Sequence, residues 1–302
     1  MNTRVAIVGG GGGVGASAAF NLLLRPEPYD IVLVDAARHM ALSHEMDLQH
    51  VIGQGASGSV VVGEADAIAD ADIVVMCASV PLTVNRSRNV YLEGNVGILE
   101  DLAVALDGWD GVLVLVTNPV DPLATWLVRR TGLPRERVLG YTLNDSVRLR
   151  SAIADRLGVP RTAVDAWMVG EHGDGAVPVW SRVRVDGAAV ALDDAVRASV
   201  LDELRSFYVT HVALDSGRSS TWTSGHGLAR MVGALTQGDG DPWPASVVLR
   251  GEYGLDDVAV SVPVSIGPSG VQAVHEWPLA DEEQTGLHAV AREIAAAADA
   301  LG

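Results

Sequence analysis

The first half of the chain alternates short runs of apolar, mostly β-branched residues with longer stretches in which apolar residues recur every three or four positions. The short runs predict buried parallel strands, and the longer stretches predict amphipathic helices. The predicted strands are Val5–Val8, Ile31–Val34, Val60–Val62, Ile73–Met76, Val112–Val116 and Val138–Tyr141. The predicted helices are Val14–Leu24, Met40–His50, Val90–Leu106 and Asp121–Arg130. This alternation indicates an α/β fold with a doubly wound parallel sheet.

After about Leu143 the regular alternation ends. Helices are predicted at Ser146–Leu157, at Asp194–Leu214 and from about Asp281, and strands at Val164–Val169, Arg182–Val185, Ser246–Leu249 and Val258–Val262. We therefore expect a parallel-sheet domain over residues 1–142 and an α+β domain over residues 143–302. Because no Pro/Ser-rich linker separates the halves, the two domains should share a tight interface with a cleft between them.

Composition narrows the classes of function. The formal net charge of -17 disfavours nucleic acid and anionic membrane surfaces, which select basic proteins. The single cysteine, Cys77, excludes an intramolecular disulfide and favours a reducing, cytoplasmic setting. We expect no membrane segment, because no apolar run approaches the length that spans a bilayer. We also expect no metal site: His44, Asp47 and His50 have helical spacing but are interpreted as ordinary helix residues.

A glycine run follows the first predicted strand and leads directly into a helix. It fits GxGxxG at Gly10, Gly12 and Gly15, or GxxGxxG starting at Gly9, and Asp35 ends the next strand twenty residues after Gly15. Such a turn binds a pyrophosphate through bare backbone amides, and the acid binds the adenosine ribose and repels a 2′-phosphate. The sequence thus predicts NAD rather than NADP. The predicted contacts in the turn are Gly9, Gly10, Gly12, Gly13, Val14 and Gly15.

A second set of chemical groups lies in the other half. His172 stands in a polar, glycine-flanked turn after a buried strand, and Asp145 and Arg148 lie together on the first turn of a predicted helix. A carboxylate against an imidazole raises its pKa and fixes its tautomer, and a guanidinium can bind a substrate carboxylate with two parallel hydrogen bonds. This combination predicts acid–base chemistry on a small carboxylic acid.

With these pieces in place, the chain resembles the lactate and malate dehydrogenase family over essentially its whole length. The matching segments are VAIVGGGGGVG, the strand end LVD with Asp35, EMDLQHV, VTNPVD, NDSVR and GEHGDGAVPVWSRV. The resemblance implies an N-terminal Rossmann domain followed by an α+β catalytic domain. It also implies reversible hydride transfer between NADH and a 2-keto acid, giving an L-2-hydroxy acid, in a homodimer or homotetramer.

The resemblance also implies roles for individual residues. His172 would donate and accept the proton, with Asp145 as its partner, and Arg88 would polarise the reacting oxygen from a mobile loop. Arg148 would bind the substrate carboxylate. Asn118 would contact the substrate and the nicotinamide side, Val116 and Asn95 would contact the cofactor, and Ser220 would line the pocket. Asn118 before Pro119 has an alternative interpretation as a turn residue, and Arg88 as a solvated charge.

The loop before Arg88 departs from the family pattern. In the family, substrate specificity depends largely on the residue six positions before the loop arginine, which is glutamine in lactate dehydrogenases and arginine in malate dehydrogenases. In this chain that residue is Leu82. A leucine cannot pair with a second carboxylate, so it favours a 2-keto acid with an apolar side chain. An alternative is that Arg86 takes over the pairing, which keeps malate and oxaloacetate open as substrates.

Two functions of other classes are also considered. One is an NADH sensor that has lost turnover because of its altered loop. The other is an NAD- and metal-dependent glycosidase, which requires cysteine and histidine ligands that Cys77 lies too early in the chain to supply. The set His172, Asp145, Arg148 and Arg88 favours the dehydrogenase.

Overall fold

A computed structural model describes residues 2–80, 88–214, 216, 219–238 and 240–301, without the side chains of residues 88–90, 208 and 212. The first half of the chain forms the predicted strands and helices. The strands are β1 (Thr3–Val8), β2 (Tyr29–Val34), β3 (Ser59–Val62), β4 (Ile73–Met76), β5 (Val112–Leu115) and β6 (Val138–Tyr141). The helices are α1 (Gly13–Leu23), α2 (Arg38–Gly53), α3 (Arg88–Ala105) and α4 (Val120–Thr131).

The strands lie in the order β3-β2-β1-β4-β5-β6, and each pairs in parallel with its neighbours. Ile7 of β1 is opposite Leu33 of β2 on one side and Val75 of β4 on the other. The direction of winding reverses between β1 and β4, and ligands of such sheets bind at the carboxyl ends of the strands at this switch point. The predicted doubly wound Rossmann arrangement is confirmed.

The second half is an α+β arrangement. Its helices are α5 (Leu143–Leu157), α6 (Asp194–Ala213), α7 (Thr221–Gln237) and α8 (Asp281–Asp299). Its strands are β7 (Val164–Asp165), β8 (Met168–Gly170), β9 (Ala176–Pro178), β10 (Arg184–Val185), β11 (Ala188–Ala189), β12 (Trp243–Arg250), β13 (Asp256–Gly267) and β14 (Gly270–Val274). Antiparallel β12 pairs with β6, so the sheet continues as β6-β12-β13-β8-β9.

One predicted strand is divided. The run Val164–Val169 is not continuous: β7 pairs with β10 in a small separate sheet, whereas β8 pairs with β13 and β9 in the main sheet. The run is mostly apolar because Val164 and all of β8 are buried, whereas Asp165 at the end of β7 is exposed. Its two ends belong to different sheets. The turn after β8, which contains His172, therefore starts at the main sheet.

Helix α7 was not predicted, because its sequence contains several glycines, which weaken a helix. The structure explains why glycines occupy these positions. A Cβ at Gly225 would collide with Ser17 of α1, and a Cβ at Gly227 would collide with Tyr141 at the end of β6. The glycines let α7 pack unusually close to the glycine-turn helix and the sheet.

The sheet is covered on both faces. Val5 and Ile7 of β1 belong to the same core cluster as Leu22 of α1, and Ala6 between them belongs to the cluster that includes Leu123 of α4. This explains why the strands read as continuous apolar runs. Among the described residues, no helix combines the length and apolar character needed to cross a membrane.

Candidate active site

The glycine turn lies at the switch point between β1 and α1. Gly9 has φ 89°, and a Cβ there would lie 2.5 Å from the backbone nitrogen of Ala78. Gly12 is the N-cap of α1 and provides no side-chain cap. A Cβ at Gly15 would lie 2.5 Å from the carbonyl oxygen of Gly9. The turn is therefore a tight backbone cradle at a helix N-terminus, which suits a pyrophosphate.

Asp35 follows β2 and holds this turn in place. Its Oδ2 accepts the N–H of Gly11 at 2.8 Å, and its Oδ1 accepts the N–H of Ala37 at 2.8 Å. A carboxylate oxygen can accept more than one hydrogen bond, so Asp35 keeps acceptor capacity for ribose hydroxyls. The residues present thus fit the adenosine half of a dinucleotide without a 2′-phosphate.

Asn95 joins the carboxyl ends of the strands next to the turn. Its Oδ1 accepts the N–H of Val80, beyond β4, at 2.8 Å, and its Nδ2 donates to the carbonyl oxygen of Asn118, beyond β5, at 2.6 Å. Its side chain is buried, whereas Asn118 is exposed. Val116 is half-buried, and its N–H donates to Met76 at 2.9 Å. Asn95 thus fixes the segment that carries Val116 and Asn118.

The structure brings the predicted histidine and aspartate together. His172 follows β8, Asp145 lies in the first turn of α5, and Nδ1 of His172 is 2.5 Å from Oδ2 of Asp145. Their side chains are 17% and 12% exposed, so the pair is mostly shielded but reachable. An acidic residue in the first turn of a helix also interacts favourably with the helix dipole.

The surroundings of His172 favour its charged form. Burial alone disfavours the imidazolium, but the charge of Asp145 and its hydrogen bond outweigh burial, and the charge of Asp121 adds to the effect. The pKa of His172 therefore lies above its ordinary value. Such a histidine carries a proton that it can donate near neutral pH.

Arg148 lies one turn after Asp145 on α5. Its Nη1 is 3.6 Å from Oδ1 of Asp145, and its Nη2 donates to Oγ of Ser220 at 2.8 Å. Ser220 immediately precedes α7. The guanidinium is partly exposed beside the His172–Asp145 pair and can bind a carboxylate there.

Asp121 is a site residue to which sequence analysis assigned no role. It is fully buried, and its Oδ2 accepts the N–H of His172 at 2.7 Å. Burial raises its pKa to about 6. The sequence did contain a sign of this role, because Asp121 is an acid within the apolar stretch that starts α4. A buried acid at such a position needs a specific partner. Asp121 thus orients the backbone of the residue that carries the imidazole.

Three sequence predictions fall where nothing is described. Leu82 and Arg86 lie outside the described residues, and so does the side chain of Arg88, whose backbone begins α3. Their roles stay predictions. Within the described part of the chain, no group of three or more histidine, cysteine or acidic side chains is arranged to hold a metal ion.

Comparison with known proteins agrees with this geometry. Residues 3–140 match the family described as lactate/malate dehydrogenase, NAD binding domain, and residues 142–300 match lactate/malate dehydrogenase, alpha/beta C-terminal domain. The malate dehydrogenase of Natronomonas pharaonis is 36% identical, over 93% of both chains, and that of Halobacterium salinarum is 36% identical over 99% of both. The minor L-lactate dehydrogenase from Enterococcus mundtii has a similar structure, with a TM-score of 0.90 and 27% identity over 100% of this chain and 99% of that one.

Proposed function

The chain belongs to the lactate/malate dehydrogenase family, and on that basis we propose that it reduces a 2-keto acid with an apolar side chain to the L-2-hydroxy acid, reversibly. It is an NAD-dependent 2-hydroxyacid dehydrogenase. NADH donates the hydride in reduction and NAD⁺ accepts it in oxidation. The residues of the chain bind and orient the substrate and exchange the proton.

The observation that carries the proposal is the 2.5 Å contact between His172 and Asp145. Asp145 occupies Nδ1, so Nε2 is the ring nitrogen that exchanges a proton with the substrate oxygen. In the reducing direction, protonated His172 neutralises the charge that develops on the C2 oxygen, and in the oxidising direction neutral His172 removes the hydroxyl proton. Asp145 stabilises the imidazolium and fixes its tautomer.

Arg148 provides the binding of the substrate C1 carboxylate. Its position beside Asp145 and its hydrogen bond to Ser220 leave N–H groups for a two-point contact with a planar carboxylate. Such a contact orients the C2 carbon, since a carboxylate bound at two points cannot rotate freely. The resemblance adds Arg88 as the group that stabilises charge on the C2 oxygen.

Two candidate substrates follow from different observations. Leu82 at the specificity position favours a monocarboxylic 2-keto acid. A second carboxylate buried there without a partner would cost at least as much as an unpaired polar group, about 2–7 kcal/mol. The 36% identical relatives are malate dehydrogenases, which favours oxaloacetate with Arg86 as the pairing cation. We rank the apolar side chain first. A cytoplasmic homodimer or homotetramer is also proposed from the resemblance.

The test is NADH oxidation with pyruvate, phenylpyruvate, a branched 2-keto acid and oxaloacetate at matched concentrations. We expect a monocarboxylic acid to give the highest kcat/KM. A Leu82→Arg variant should reverse the order in favour of oxaloacetate. Oxaloacetate winning in the unaltered chain refutes the ranking, and tight NADH binding without turnover of any acid would indicate the sensor instead.

A further inference from the structure

The guanidinium of Arg148 lies over an aromatic ring. Phe207, in the last two turns of α6, is one of only two phenylalanines in the chain, and Cζ of Arg148 lies 4.7 Å from the centroid of its ring. This is within the roughly 6 Å range in which a cation is attracted by the ring quadrupole. Phe207 is 44% exposed, so it is not part of the buried core.

The guanidinium of Arg148 has three neighbours in the described part of the protein, of which the ring is one. Ser220 accepts from Nη2 at 2.8 Å, and Asp145 lies 3.6 Å from Nη1. Both of these contacts are made to the terminal nitrogens of the guanidinium, whereas Phe207 presents its ring to the central carbon. A cation–π contact needs no N–H donor, so it restrains the position of the guanidinium and leaves its remaining donors for a ligand.

Phe207 is itself supported. The imidazole of His211, one turn later, is stacked on it with centroids 6.0 Å apart and planes 7° apart. Helix α6 is tied to α5, which carries Arg148, by Arg156, whose Nε donates to Ser199 at 2.7 Å and whose Nη2 lies 3.0 Å from Glu203. The ring is therefore held against Arg148 by its own helix.

We propose that Phe207 is a positioning residue for substrate binding: it holds the Arg148 guanidinium in place so that a substrate carboxylate meets two of its N–H donors. The inference rests on the proposed role of Arg148. A guanidinium that is free to rotate loses conformational entropy when it binds a carboxylate. Contact with Phe207 restricts the side chain before binding, so less entropy is lost when the substrate binds. The contact exists before and during the reaction, so it affects binding more than turnover.

The experiment measures KM and kcat for pyruvate and for oxaloacetate in Phe207→Leu, which keeps an apolar side chain but removes the ring. We expect KM to rise about threefold to tenfold, the range that corresponds to a partly exposed cation–π contact, with kcat within about twofold. The Kd of NADH should not change. Phe207→Tyr, which restores the ring, should restore KM. Val209→Ala, at a 67% exposed position on the same helix, is the matched control and should resemble the unaltered chain.

Arg148→Gln separates this inference from the function on which it rests. If Arg148 binds the carboxylate, this variant raises KM far more than Phe207→Leu, and adding Phe207→Leu to it causes no further rise. If Arg148→Gln leaves KM unchanged, the proposed role of Arg148 is wrong. If Arg148→Gln raises KM but Phe207→Leu does not, or if Phe207→Leu acts equally in both backgrounds, the role of Phe207 is overturned while that of Arg148 stands.

Discussion

The carboxylate of Asp121 lies behind His172 and accepts its backbone N–H at 2.7 Å. The hydroxyl of Ser246, which is also buried, opposes part of the effect of burial on the pKa of Asp121. Asp121 is fully buried, so its charge acts on the imidazole with little screening and raises the pKa of His172. One acid thus influences both the position and the protonation of the residue that exchanges the proton.

This relationship predicts a change in the pH dependence of Asp121→Asn. The asparagine side-chain oxygen can still accept the N–H of His172, but the charge is gone, so the pKa of His172 should fall. Reduction of the 2-keto acid needs the protonated form, and its kcat/KM is lost as the pH rises through that pKa. The descending limb of the profile should therefore move to lower pH. An unchanged limb would mean that the charge of Asp121 does not reach the imidazole.

The same variant should be more stable than the unaltered chain at high pH. The pKa of Asp121 is raised from 3.8 to about 6, so its carboxyl favours the folded state below pH 3.8, and this stabilisation is lost as the pH rises through about 6. At about 1.4 kcal/mol per pKa unit, the loss reaches about 2 to 3 kcal/mol at neutral pH and above.

Urea unfolding checks this prediction at two pH values. Asp121→Asn should gain free energy of unfolding at about pH 8, with only about half of the gain left at about pH 5, where most of the native carboxyl is protonated. A gain of the same size at both values contradicts the raised pKa. Asp155→Asn serves as the control, since it removes a carboxyl at the surface of α5.

Asp145→Asn should impair turnover while the fold survives. Without the carboxylate, the imidazolium of His172 loses its partner and its tautomer is no longer fixed, so kcat for reduction should fall by about 100-fold or more. The remaining activity should shift to lower pH because the pKa of His172 falls. Stopped-flow and steady-state rates over a pH series measure both effects.

Asp155→Asn is the matched control, because Asp155 lies on the same helix and pairs with Arg161 at the surface. It should leave kcat and the pH profile unchanged. Equal losses in the two variants would indicate a general effect on α5 and would remove the support for Asp145 as the partner of His172.

The close approach of α7 to α1 predicts that Gly225→Ala is destabilising. Its Cβ would collide with the side chain of Ser17, which is itself buried, so the helices must move apart at a cost of about 1 to 3 kcal/mol. Gly53→Ala, at the end of α2, is the control because no atom lies within 4 Å of the added Cβ. Chemical denaturation of both variants should show a loss only for Gly225→Ala; equal midpoints would refute the close-packing account.

Much of the site was predictable because its signals are local. The glycine turn follows from a strand, a run of glycines and a helix within about twenty residues, and Asp35 follows from the end of the next strand. His172, Asp145 and Arg148 were identified by motifs, and the structure places them together. The helices and strands of the first half agree with their predicted bounds within a few residues, because periodicity is a property of each segment alone.

Contacts between distant segments were decided only by the tertiary structure. Sequence periodicity shows which face of a helix is apolar, but not which residue of another helix approaches it. The glycines of α7 therefore looked unfavourable until Ser17 and Tyr141 were seen against them. In the same way, Asp121 and Phe207 acquire their roles only because folding brings them within a few ångströms of His172 and Arg148, since charge–charge and cation–π interactions both weaken as the distance grows.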